Sequence, residues 1–79
     1  MKGKTTIQYI SQLYDIVRAS NQCHHPVRIK QGPITVDGRS ILGILSLDLF
    51  RPIYIHVQDK EELEKFDAFM EWEDEDEES

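Results

Sequence analysis

The stretch that decides the fold is residues 36–47, which read VDGRSILGILSL. An Asp-Gly turn at residues 37–38 separates an alternating strand from a short apolar run. Ser40 directly precedes that run, and serine is among the residues that cap a helix N-terminus best. The stretch therefore predicts a short helix over Ile41–Leu47 with Ser40 as its N-cap.

A hairpin before this helix, and a strand and a helix after it, follow from the same reasoning. Val27–Gln31 alternates apolar and basic residues, and a Gly-Pro turn joins it to a second alternating strand, Ile34–Val36. Beyond the short helix, Ile53–Val57 places its apolar residues on one face. Asp59 and Glu62 have the spacing of a capping box, which predicts the start of a last helix. The apolar stripe of that helix consists of Leu63, Phe66, Phe69 and Met70.

The N-terminal part of the chain allows two interpretations. Thr5–Tyr9 is rich in β-branched and aromatic residues and fits a short strand, but Thr5 and Gln8 also have capping-box spacing. A helix follows from residue 9 or 10 to Ser20. Its predicted apolar face consists of Ile10, Leu13, Ile16 and Val17. The order (β)αββαβα, with the first strand short or missing, predicts an α+β fold: one small antiparallel sheet with helices on one face.

Charge is distributed unevenly along a chain whose 79 residues suffice for one domain. The formal net charge is −6. Residues 59–79 hold twelve acidic and two basic side chains, whereas residues 1–58 hold seven basic and three acidic ones. Seven of the eight residues 71–78 are acidic, and such a run cannot build a core. We therefore divide the chain into a domain, residues 1–72, and an acidic disordered tail, residues 73–79.

Several classes of function are disfavoured by composition. A single cysteine excludes an internal disulfide framework, and no apolar run is long enough to span a bilayer, so we expect a cytoplasmic protein without membrane contacts. Cys23, His24 and His25 are adjacent but lack a second ligand cluster, so we expect no metal and no cofactor. Arg28 and Lys30 share a strand face, yet the aromatic residues lie mostly at core spacing, which predicts no nucleic-acid partner.

Residues 36–47 resemble a segment of HPr, the small phosphocarrier of the bacterial phosphotransferase system, which reads Lys-Ser-Ile-(Met/Leu)-Gly-(Val/Leu)-(Met/Leu)-Ser-Leu. The segment also resembles that of divergent HPr-like proteins, which reads Asp-Ala-Lys-Ser-Ile-Leu-Gly-Ile-Phe-Ser-Leu-Asp-Leu. The resemblance extends from about Val27 through the last helix, whereas the N-terminal helix agrees in pattern only. It implies the HPr-like open-faced sandwich.

The chain departs from HPr where that family carries its phosphate. HPr uses a histidine in a Gly-Ile-His-Ala-Arg-Pro-Ala segment at the start of its first helix, and the corresponding residues here, Thr6–Ile10, contain no histidine. Histidine phosphoryl transfer needs a nucleophilic imidazole and donors that hold the phosphate. We therefore expect neither phosphocarrier nor enzymatic activity. The alternative is a phosphocarrier that uses a displaced histidine: His24, His25 or His56.

Further expectations concern the Ser40 helix. Ser40 matches the serine that a dedicated kinase phosphorylates in HPr, and Arg39 is adjacent to it, although a plain N-cap needs no further role. Ile41, Leu42 and Leu45 match the family's apolar docking patch, and one helical stripe cannot bury the whole apolar run. We expect a regulatory module that presents this helix to a protein partner.

A structural role through self-association is the remaining alternative. If Thr5–Tyr9 does not supply a full strand, the strand Ile53–Val57 has an unpaired edge. Unpaired edges present backbone donors and acceptors to other chains. This interpretation predicts a homodimer that forms through Ile53–Val57.

Overall fold

Four strands and three helices make up the part of the chain that the computed structural model describes, residues 1–74. The last five residues of the predicted tail, 75–79, lie outside it. The elements are β1 (Lys2–Thr5), α1 (Ser11–Gln22), β2 (Arg28–Gln31), β3 (Ile34–Asp37), α2 (Ile41–Leu45), β4 (Ile53–His56) and α3 (Lys60–Glu64). Within the described residues, no helix is both long and apolar enough to cross a membrane.

The strands form one antiparallel sheet in the order β1-β4-β2-β3, which confirms the α+β architecture. The first strand is present, but it lies earlier than the sequence predicted: Lys2 pairs with His56 and Thr5 pairs with Ile53. The predicted Thr5–Gln8 capping box is wrong, because Thr5 is a buried strand residue whose hydroxyl donates to the Glu71 carbonyl. Pairing with β4 therefore decides the position of β1.

The position of β4 removes the predicted route to a homodimer. β4 is bonded to β1 on one side and to β2 on the other, so Ile53–Val57 is not an edge. The pairing continues past β4, since the Val57 amide donates to the Met1 carbonyl. The expectation of an unpaired edge at Ile53–Val57 is therefore wrong, and the physical reason is that residues 1–5 reach far enough to cover it.

The core lies between one face of the sheet and the helices. Buried side chains from every layer meet there, among them Leu13, Ile16, Ile29, Ile55 and Phe66. Ile10 was predicted on the buried face of α1 but is 67% exposed. The helix begins only at Ser11, and the buried position at its start belongs to Gln12.

The C-terminal segment crosses back over β1. Phe66 and Met70 are buried as predicted, although α3 itself ends at Glu64. The Glu73 amide donates to the Lys4 carbonyl at 2.7 Å, so the paired backbone extends one residue beyond the predicted boundary at residue 72. The ring of Trp72 covers Gly3 so closely that a Cβ there would lie 2.5 Å from two ring carbons.

Candidate functional site

Ser40 caps α2 as the sequence predicted. Its Oγ accepts a hydrogen bond from the Gly43 amide at 3.0 Å, which satisfies one of the free donors of the first turn. Gly43 lets this turn approach β3, because a Cβ there would lie 3.1 Å from the Cβ of Val36 and 3.2 Å from Ser40 Oγ. The cap closes the first turn of the short helix, and the missing side chain at Gly43 lets that turn lie close to β3.

Two of the three residues predicted as a docking patch are exposed. Leu42 is 77% exposed and Leu45 is 47% exposed, whereas Ile41 is half-buried and packs on the core. Ile44 and Leu47 point inward and are buried, so α2 is anchored by one side and presents the other. Helical geometry explains the division, since five apolar residues within seven positions cannot share one stripe.

The loop after α2 adds an exposed aromatic residue that was not predicted as part of the patch. Phe50 is 96% exposed. Its loop is nevertheless fixed, because the buried Gln31 side chain donates to the Asp48 carbonyl at 2.7 Å and accepts from the Asp48 amide at 2.8 Å. The sequence feature that could have predicted this exposure is the position of Phe50, which lies outside any amphipathic element and directly before Arg51-Pro52. We call Leu42, Leu45 and Phe50 the α2 surface.

Arg39 is engaged by Asp37 rather than directed to Ser40. Its Nε lies 3.3 Å from Asp37 Oδ1 and its Nη2 lies 3.2 Å from Oδ2, in a two-pronged ion pair. Hydrogen bonds from the Arg39 side chain and backbone hold the pKa of the Asp37 carboxyl below its usual range. A phosphate on Ser40 would therefore compete with Asp37 for the guanidinium.

The turn before α1 is hydrogen-bonded to the side chain of Gln12, a residue of the first turn of that helix. Gln12 Oε1 accepts hydrogen bonds from the amides of Gln8 at 2.7 Å and Tyr9 at 2.9 Å. Gln12 Nε2 donates to the Phe69 carbonyl at 2.7 Å, which ties the turn to the C-terminal segment. Two of the backbone donors that such a turn could offer to an anion are thus used within the protein.

The histidines considered for phosphoryl transfer lie elsewhere. His24 and His25 follow the C-terminal end of α1, about 18 Å along a twelve-residue helix from its start. His56 lies on β4, on the face opposite the buried Ile55. His25 Nδ1 is 3.2 Å from Glu62 Oε2, and the Glu62 carboxylate also accepts from the backbone of His24. The Glu62 carboxylate therefore does not complete the predicted capping box; Asp59 alone supplies the cap of α3.

The open face of the sheet carries cations around a tyrosine. Lys4 and Lys30 flank Tyr54 on the neighbouring strands, and Lys2 Nζ lies 5.4 Å from the centre of the Tyr54 ring. Arg28 and Lys30 were predicted to share a strand face, but the two lysines of β1 were not predicted beside them, because the first strand was expected at later residues. Tyr54, the aromatic residue on this face, was not predicted to lie among these cations either.

One solved structure connects this geometry to known proteins. The chain is similar to the crystal structure of a phosphocarrier protein HPr from Bacillus anthracis str. Ames, with a TM-score of 0.67. The similarity covers 90% of this chain and 96% of the HPr chain, at 22% sequence identity. This chain has the HPr fold. No protein-family model matches it, and the search of curated proteins gives no match.

The surroundings of residues 6–10 differ from what HPr phosphocarrier chemistry requires. An open depression of about 410 Å³ lies at this end of α1. Its ionisable lining consists of Asp15, Asp67 and Glu71 together with Tyr9, and no basic side chain of the described residues lines it. Carboxylates repel a phosphoryl group, and three of them line this depression.

Proposed function

We propose that this chain is a non-enzymatic binding and regulatory module of the HPr fold, acting in the cytoplasm, which presents the α2 surface to a protein partner. One observation carries the proposal. Three large apolar side chains, Leu42, Leu45 and Phe50, are exposed on a helix and a loop that the protein itself holds in place. Exposed apolar side chains that are held in this way are typical of docking surfaces.

The rigidity of the loop favours binding over incidental exposure. A side chain that is ordered only when the partner arrives costs conformational entropy at that moment. The hydrogen bonds of Gln31 lower the backbone part of that cost during folding, since they fix the backbone on both sides of Phe50. Aromatic anchors of this kind contribute most to the affinity of many protein interfaces.

Ser40 is the proposed point of control. Its side chain is exposed, and it immediately precedes the α2 surface. A phosphate would add a charge of about −1.5 to −2 beside Leu42. That charge would weaken docking of an apolar partner through desolvation, or strengthen a partner that offers arginine. Arg39 would contribute only after release from Asp37.

The proposal excludes HPr-type phosphocarrier activity. Three observations support this. Residues 6–10 contain no histidine, the Gln12 side chain accepts from the Gln8 amide, and carboxylates line the depression at this end of α1. Incubation with phosphoenolpyruvate and the general enzyme of the phosphotransferase system should leave no acid-labile phosphate on the chain. Labelling of His24, His25 or His56 at a physiological rate would support the displaced-histidine alternative instead.

The docking proposal is tested with wild type and single variants as baits in a lysate. We expect one partner that is lost with Leu45→Glu and retained with Ile10→Glu, a matched control at a similarly exposed apolar residue of α1. A change in that partner's affinity with Ser40→Asp would support control through Ser40. A partner that depends on Ile10 but not on Leu45 would contradict the proposal, and so would the absence of any partner sensitive to Leu45→Glu.

A further inference from the structure

A group of metal-binding side chains forms where the loop after α1 meets the start of α3. One potential ligand atom each from His25, Asp59 and Glu62 lies within 4.8 Å of the other two. Asp59 and Glu62 are neighbours at the start of α3, whereas His25 lies 37 positions before Glu62, and only the packing of α3 on this loop brings it to them. The proposed docking module does not use them.

The state of the Glu62 carboxylate independently points to a cation. Glu62 is only 4% exposed, although it carries a charge. Its Oε2 accepts from the His24 amide at 2.8 Å and from the His25 amide at 3.3 Å, whereas the buried Oε1 has no hydrogen-bond partner among the described residues. Removing a carboxylate oxygen from water without a partner is costly, and buried carboxylates are usually paired or bound to metals.

The spacing of one pair in the group, His25 and Glu62, suits a small tetrahedral ion. Two ligands at 2.0–2.1 Å from zinc stand roughly 3.3–3.4 Å apart in a tetrahedron, and His25 Nδ1 lies 3.2 Å from Glu62 Oε2. This oxygen already accepts from two amides, so an ion held by both oxygens of the carboxylate would also supply the partner that Oε1 lacks. Asp59 uses Oδ1 to cap α3 at 3.0 Å from the Glu62 amide, which leaves its other oxygen for a metal. Asp59 and His25 are exposed, so small rotations can close the remaining distance.

The surrounding charge also favours a cation. The depression around the group is lined by the carboxylates of Asp59, Glu61, Glu62 and Glu64 and by one ammonium group, that of Lys65. The excess of negative charge lowers the energy of a divalent ion there. The amides of His24 and His25 hold the Glu62 carboxylate in position, as second-layer donors do in metal sites.

We propose that His25, Asp59 and Glu62 form a binding site for a zinc-type divalent cation, with water completing the coordination. An imidazole and two carboxylates are a donor set that zinc accepts, whereas calcium and magnesium prefer oxygen ligands alone. The bound ion ties the loop before β2 to the start of α3. It acts as a cross-link in a chain whose single cysteine cannot supply a disulfide.

The test is a titration of the full-length chain with zinc alone, in a buffer that does not bind metal. The imidazole resonances of all three histidines and the backbone amide resonances are followed by proton–nitrogen correlation spectroscopy. Saturation at one ion per chain, with the largest shift at His25 and a rise in the melting temperature, is the expected result. A response confined to the acidic residues 71–78, or no saturable response, would overturn the site.

Matched variants separate metal binding from folding. Asp59→Asn removes the charged ligand but keeps the helix cap, because asparagine caps as well as aspartate. His25→Gln removes the imidazole, and His24→Gln is its control at the adjacent position. We expect each ligand variant to weaken zinc binding by at least about tenfold and the control to change it by less than about twofold. An equal loss in His24→Gln, or unchanged affinity in both ligand variants, would refute the assignment.

Discussion

Replacing Gln31 with methionine should destabilise the protein and free the loop that carries Phe50. The substitution keeps the approximate volume of a buried side chain but removes both of its hydrogen bonds to Asp48, at 2.7 and 2.8 Å. Each such bond contributes about 0.5–1.5 kcal/mol net, so the expected loss is about 2 kcal/mol. In a domain of this size that loss lowers the melting temperature by roughly 8–16 °C.

A second variant at Gln31 tests whether the direction of the hydrogen bonds matters. Glutamate can still accept from the Asp48 amide, but its ionised carboxylate places an oxygen against the Asp48 carbonyl and cannot donate. We expect Gln31→Glu to be less stable than the methionine variant at neutral pH. Burial raises the pKa of such a carboxyl, so it should regain stability relative to the methionine variant on acidification, as the protonated form donates again.

Urea denaturation gives the free energy of unfolding, and amide exchange of residues 48–52 reports on the loop directly. Because Gln31 holds the loop directly, these amides should exchange faster in Gln31→Met than can be explained by the loss of global stability. A methionine variant within about 0.5 kcal/mol of wild type, with unchanged exchange in the loop, would refute it. If Gln31→Met bound a partner that requires Phe50 with wild-type affinity, the proposed contribution of the Gln31 hydrogen bonds to docking would be refuted.

Three further predictions concern the helix cap, the C-terminal segment and acid stability. Ser40→Ala should cost about 0.5–2 kcal/mol while Ser40→Asp retains most of that stability, as chemical denaturation will show. Gly3→Ala should displace the single tryptophan, Trp72, at a cost of about 1–3 kcal/mol and shift its fluorescence to longer wavelength; an unchanged spectrum would contradict the contact. Burial opposes ionisation of Glu62, but hydrogen bonds from His24 and His25 outweigh it and lower its pKa. The stability that ionised Glu62 contributes is therefore complete above about pH 4.3 and is lost as the pH falls through the lowered value. Glu62→Gln should flatten that part of a pH–stability curve.

Elements with strong local signals were predictable. Neighbouring residues alone predict the strand–turn–strand hairpin and the buried Phe66. They also predict the two N-caps, Ser40 and Asp59. A cap works within one turn and an alternating strand within a few residues, so tertiary structure had little to add to them. The resemblance that begins at residues 36–47 correctly led to the HPr fold.

The predictions were wrong where a residue's hydrogen-bond partner lies far away along the chain. Lys2–Thr5 has a glycine and two lysines in four positions, which is a weak strand signal, and it pairs because β4 offers an edge more than fifty residues away. Gln12 is similar: a glutamine on a helix usually indicates a solvent face, but here it caps one turn and holds Phe69. Long-range pairing thus overrode local preference in both places.

The candidate sites show the same division. The sequence by itself determined that residues 6–10 have no histidine, that Ser40 begins a helix and that more apolar residues follow it than the helix can bury. Only the tertiary structure decided that Gln31 fixes the loop beneath Phe50 and that His25 meets Asp59 and Glu62. The physical reason is chain closure: side chains remote in sequence approach one another only after the sheet and helices have packed and offset the entropy of bringing them together.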